Sequence, residues 1–132
     1  MGGKESPMTN QPMNTEELIE AVRQWGIARN ITGPNGKGTL LGQLSKTAEE
    51  LTETRDAAVA MLIHQPNKSN PTNFWVAKAD LEDGIGDCAV TLVLAAEMAG
   101  LRFEDCLQAA YDEIKGRTGT MQGGVFVKDK PC

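Results

Sequence analysis

Aromatic residues are scarce in this chain: only six of its 132 residues are Phe, Trp or Tyr, although 40% are hydrophobic. Its core must therefore be built from Leu, Ile, Val, Ala and Met, a composition that suits packed helices better than a β-sandwich. Histidine is scarcer still. His64 stands alone, which excludes the paired Glu-x-x-His ligands of di-iron bundles and His-rich zinc sites. A Ser/His/Asp triad would have to use this same residue, at a helix end beside a loop. The cysteines, Cys88, Cys106 and Cys132, are odd in number and widely spaced, so a reduced, cytoplasmic protein is expected rather than a disulfide framework. The longest apolar run, from Cys88 to Ala96, is interrupted by Thr91 and falls short of the roughly 18 apolar residues of a membrane span. The N-terminus lacks the apolar stretch of a signal peptide, and no membrane partner is expected. Basic residues are outnumbered, and the net charge of −5 argues against a nucleic-acid partner. Free nucleotides brought in by a metal remain compatible.

Chain length suggests one domain. Residues 1–13 contain Gly2, Gly3, Pro7 and Pro12 and read as a mobile arm, leaving 14–132 as the folded unit. Asn14 followed by Glu17 has the spacing of a capping box, and Leu18, Val22, Trp25 and Arg29 share a face of a helix over 15–30. The glycine-rich segment Gly33 to Thr39 opens the next helix and invites comparison with a phosphate-binding loop. It fails because Gly38 separates Lys37 from Thr39 and no strand precedes it. A second helix is expected from Thr39 to Ile63, with Leu40, Leu44, Ala48, Leu51, Ala58 and Leu62 near the helical period. After a Pro- and Asn-rich loop, Asn73 can cap a third helix that runs to Ala99 and stops at Gly100. Its second half is apolar on every side, so it should be central and need cover from other helices or another subunit. A fourth helix over 103–115 and a short extended piece at Val125 to Val127, after a Gly123-Gly124 turn, complete the chain.

Acids are concentrated in two stretches. Glu49 and Glu50 lie one turn from Glu53, and Asp83 lies one turn from Asp87. Along the third helix the line of Asp83 and Asp87 continues through Val90, Thr91 and Leu94, so these aspartates point the way the core points. Carboxylates facing inward cost roughly several kcal/mol per ion unless something positive is present. Oxygen-only ligands select a hard cation, Mg2+ being the usual outcome, with Mn2+ as a substitute. Lys46 and Gln43, one and two turns before Glu50, can face the same side. Lys115 and Arg117 close the fourth helix, and Lys128 follows in the tail.

The ordered series Trp25…Arg29-Asn30, Gln43-x-x-Lys46-x-x-Glu49-Glu50-x-x-Glu53, Asp83-Gly84-Ile85-Gly86-Asp87, Tyr111 to Gly119 and Gly124 to Lys128 resembles the MazG family of all-α nucleoside triphosphate pyrophosphohydrolases. The closest likeness is to its small, single-domain, often phage-encoded members, and it extends from about residue 15 to 130. The resemblance implies an oligomeric four-helix bundle, a homodimer or homotetramer, that hydrolyses a (deoxy)nucleoside triphosphate between its α and β phosphates. Carried over residue by residue, Glu50, Glu53 and Asp87 would hold Mg2+, with Glu49 beside them to orient water. The family Glu three residues before Asp87 is Gly84 here. Either Asp83, one turn from Asp87, takes its place, which we favour, or the site has one ligand fewer. Lys46, Lys115 and Arg117 would bind the departing pyrophosphate, and Trp25, Asn30 and Gln43 would hold base and sugar. Asp112 stands where the family commonly has Asn. Two other readings stay open: a catalytically silent helical interaction module, and a different metal-dependent phosphohydrolase.

Overall fold

The computed structural model describes residues 11–65 and 71–130. Most of the expected arm, residues 1–10, lies outside them, as do most of the Pro- and Asn-rich loop and Cys132. Four helices, α1 (Thr15–Ala28), α2 (Leu40–Ile63), α3 (Pro71–Met98) and α4 (Phe103–Ile114), are followed by a two-stranded hairpin, β1 (Gly119–Gln122) and β2 (Val125–Lys128).

Local chemistry accounts for most of the boundaries. The capping box at α1 is complete: the Glu17 amide donates to Asn14 Oδ1 at 2.8 Å, and the Asn14 amide donates to Glu17 Oε1 at 2.9 Å. Thr39 caps α2 by accepting the Gly42 amide at 3.0 Å. Helix α3 begins at Pro71, whose fixed φ suits a first turn, so Asn73 lies inside the helix rather than capping it. At its other end Gly100 takes φ +73°, and the Leu101 amide donates to the Ala96 carbonyl at 2.8 Å, a glycine-terminated helix end. The chain then turns through 103° into α4. The extended tail is a true antiparallel pair with Gly119 opposite Lys128. Gly123 and Gly124, both at positive φ, make its two-residue turn, and Thr118 Oγ1 donates to Asp129 at 2.7 Å across the open end.

Helices α2 and α3 form the backbone of the molecule. They run antiparallel, with Thr47 hydrogen-bonded to Thr91 at 2.8 Å and Thr54 set against Cys88. Helix α1 leans on the C-terminal part of α3, where Gly26 meets Leu94. Among the described residues the buried apolar side chains are Ala77, Val93, Leu94, Ala95 and Ala96, all on α3. The expected continuation of the aspartate line into the interior is therefore present, with Thr91 and Leu94 buried.

The inward faces of α1 and α2 differ from the expected ones. On α1 the buried residues are Arg23 and Gly26, while Leu18 and Trp25 are exposed. On α2 the row Leu40, Leu44, Leu51 and Leu62 faces outward, and the seam toward α3 is made by Thr47, Glu50 and Thr54. Among the described residues the apolar stripes that periodicity picks out on α1 and α2 are largely exposed, so they are not the faces that make the interior. Leu107, Tyr111 and Ile114 on α4 are likewise exposed. No single helix among the described residues is long and apolar enough to cross a membrane.

Helix α4 is tied to the bundle by charge. Arg23, nearly buried, donates to both carboxylate oxygens of Glu104 at 2.7 and 2.6 Å and to Glu20 at 2.8 Å, with Glu97 3.9 Å away. The fork of the guanidinium matches the carboxylate geometry. Its hydrogen bonds hold the Glu104 carboxyl down at about 2, from an ordinary 4.5. A depressed carboxylate stabilises the fold fully above its unfolded value and loses that contribution as pH falls toward the folded one. The melting temperature should therefore fall between about pH 4.5 and 2 in the wild type. Glu104→Gln should melt lower at pH 7 and show a flatter profile across that acid range in a calorimetric series. At the α1–α3 contact, a Cβ on residue 26 would lie 2.5 Å from Leu94 Cδ2. Gly26→Ala should cost about 1–3 kcal/mol in urea unfolding through overpacking.

Candidate functional site

A groove of about 400 Å3 lies along the α2–α3 seam, lined by Glu50, Glu53, Asp56, Ala57, Ala60, Asp80, Asp83, Gly84 and Asp87. All four residues expected to hold a metal, Glu50, Glu53, Asp83 and Asp87, line it. They come from two helices because residues one turn apart repeat on one face of each. At Gly84 the two helices are in close contact: a Cβ there would clash with Thr54 Oγ1 and lie 3.1 Å from Thr54 Cβ, so a side chain at this position would have to displace α2.

The groove is electrostatically unbalanced. Glu50 and Asp87 are half-buried, while Glu53 and Asp83 are exposed. Burial first, then the Asp83 and Glu50 charges, push the Asp87 carboxyl above its ordinary value, and a hydrogen bond with Asp83 adds to the shift. Lys46 pulls the other way. That lysine reaches Glu49 Oε1 at 2.8 Å and Glu50 Oε2 at 3.3 Å, and among the described residues it is the only cation ion-paired with an acid of the groove. Its ammonium is held above the ordinary lysine value by the hydrogen bond to Glu49, then by that to Glu50.

As their side chains stand, no three Asp, Glu, His or Cys groups among the described residues are gathered closely enough to hold a metal ion. Glu50 is turned to Lys46, whose ammonium lies 3.3 Å from its Oε2. The donor chemistry nevertheless fits a hard divalent cation, because every polar side chain lining the groove is a carboxylate.

The remaining expected residues are dispersed. Glu49 is exposed and faces Lys46. Gln43 is half-buried, and its carbonyl accepts the Thr47 hydroxyl at 3.1 Å. Trp25 is exposed on α1, with the Arg29 guanidinium 5.7 Å from its ring centre, and Asn30 ends that helix at φ +60°. Lys115 and Arg117 line a separate cavity of about 540 Å3 with Asp112, Thr118, Lys128 and Asp129, and no residue of this cavity belongs to the acid groove. Sequence reasoning missed Asp56 and Asp80. The signal was present, since each lies one turn beyond an identified acid, Asp56 after Glu53 and Asp80 before Asp83.

Two substitutions probe this geometry. Gly84→Ala should lower stability by about 1–3 kcal/mol, because the methyl meets Thr54 of α2. Asp87→Asn should raise the melting temperature of the chelator-treated protein at pH 7 and leave it unchanged at pH 3. A carboxyl whose folded value is raised stabilises below its unfolded value and costs stability as pH rises through the folded one. Thermal melts in chelator at the two pH values check this. No family model, no curated protein and no solved structure matches the chain.

Proposed function

We propose that the chain is a Mg2+-dependent nucleoside triphosphate pyrophosphohydrolase of the MazG type, cleaving between the α and β phosphates to give a monophosphate and pyrophosphate. The observation that supports this reading most is the convergence of Glu50, Glu53, Asp83 and Asp87 on one groove between two antiparallel helices, with Lys46 at its edge. Glu50, Glu53, Asp83 and Asp87 are the residues that would hold the metal. When bound, Mg2+ supplies Lewis acidity toward phosphate oxygens and toward an attacking water.

The chain's own residues do the rest. Glu49, on the neighbouring turn, orients the water and accepts its proton as oxygen attacks the α-phosphorus. The bond to the bridging oxygen breaks, and the pyrophosphate leaves with its negative charge met by Lys46. Lys115 and Arg117 complete that anion site in an assembly, because within one chain they belong to a different cavity. Trp25, Asn30 and Gln43 are assigned to base and sugar.

A homodimer or homotetramer is part of the proposal. Leu51, Leu62 and Ile63 on α2, Trp75 and Ile85 on α3, and Leu107 and Tyr111 on α4 are each more than half exposed in one chain. Association would cover these large apolar side chains. A cytoplasmic setting suits the free thiols of Cys88 and Cys106.

Incubation of the purified protein with each NTP and dNTP plus Mg2+, with pyrophosphate and orthophosphate assayed separately, tests the reading. Pyrophosphate release is expected from at least one nucleotide. Glu53→Gln and Asp87→Asn should each reduce it by about 100-fold or more, corresponding to about 2.7 kcal/mol of lost transition-state stabilisation. The ungathered acids and Gly84 favour a second reading, a silent interaction module of the same helices. Absence of pyrophosphate from every nucleotide would select it, and orthophosphate alone would select a different phosphohydrolase. Light scattering should give at least twice the chain mass.

A further inference from the structure

Glu50 has the least exposed side chain of the Lys46–Glu49–Glu50 cluster, 13% against 52% for Lys46 and 60% for Glu49, and Lys46 is the partner it has. A metal bound by Glu50 would have to share that carboxylate with an ammonium 3.3 Å from its Oε2 atom. Two cations that close repel, and the repulsion grows with the divalent ion's charge. Lysine carries its charge on a flexible four-carbon stem with three rotatable donors, so the ammonium can leave one oxygen for another. Both oxygens that it now holds lie on its own helix, three and four residues ahead. The contact therefore forms without any ligand or second chain.

We propose that Lys46 is a resident counter-ion of the acid groove: it competes with the divalent cation for Glu50 and transfers to a phosphate oxygen when nucleotide and metal enter together. This rests on the metal-site reading above and adds an order of events to it. Metal loading of the free protein is held weak, and nucleotide strengthens it by giving Lys46 a different acceptor. By linkage, metal strengthens nucleotide binding by the same factor. Lys46 is thus a positioning residue for Glu50 before substrate arrives and a phosphate ligand afterwards.

The test is Mn2+ binding to the full-length protein without nucleotide, read by paramagnetic resonance or calorimetry, in wild type, Lys46→Met and Lys46→Arg. Methionine keeps the length and removes the charge at a half-exposed position, so the fold is retained. Lys46→Met should bind Mn2+ about three- to tenfold more tightly than wild type, from the loss of one exposed ion-pair competitor. Lys46→Arg should stay within about twofold, since the charge is kept. A non-hydrolysable α,β-methylene nucleotide should tighten Mn2+ binding in wild type and do so less in Lys46→Met. Equal or weaker Mn2+ binding by Lys46→Met, with binding still abolished by Asp87→Asn, overturns this proposal alone. Wild-type protein that binds no Mn2+, or binds it equally well as Asp87→Asn, overturns the metal-site reading and this proposal with it.

Discussion

The contact of Thr54 of α2 with Gly84 of α3, which a side chain at residue 84 would obstruct, sets what the rest of the seam can hold. With no side chain at residue 84 the helices come near enough for the threonine to lie against glycine, and Thr54 Oγ1 returns to the Glu50 carbonyl at 2.7 Å. Residues one turn to either side are thereby held opposite one another. Carboxylates from both helices line a groove that straddles this contact, Asp56 and Asp80 to one side and Glu50 and Asp87 to the other. Beyond Glu50 and Asp87, Thr47 meets Thr91 and the seam leads into the small apolar interior. The polar half of the seam is the less comfortable half, since like charges face across it and one carboxyl resists ionisation.

Much of this was legible in the sequence, and the reasons differ by element. The number and kind of helices followed from periodicity, capping residues and glycine stops: Asn14 and Glu17 make the expected box, Thr39 caps, and Gly100 ends α3. The acid groove followed from turn spacing alone, because residues one turn apart on adjoining helices need only the right rotation to meet. Where the reading failed, it failed on rotation. The leucines of α2 and Leu18 with Trp25 on α1 look inward on a helical wheel, yet threonines, a glycine and an arginine take the inner positions. A wheel ranks faces by hydropathy and cannot distinguish a face meant for the chain's own interior from one meant for another copy. Gly84 carried no such ambiguity once the structure placed Thr54 against it, and Asn73 lost its capping role to a helix that starts at Pro71.

The division of the chain into an apolar outside and a polar seam also bears on the proposed chemistry. The cations near the end of α4 and in the hairpin stand apart from the acids of α2 and α3, so one copy keeps its clustered cations and its clustered carboxylates in different places. Lys46 is the exception, and its present partners are the carboxylates themselves. That pairing can be exchanged for another anion by moving one flexible side chain, with no new residue brought in from solvent.

Arg23 has a different kind of reach. One guanidinium binds Glu20 of its own helix and Glu104 of α4, with Glu97 of α3 close by, so three helices converge on a single planar group almost cut off from water. The C-terminal quarter of the chain is thus knotted to α1 at one point, and because Glu97 stands on the same helix as Asp83 and Asp87, a loosening of that knot would reach the helix that lines the acid groove.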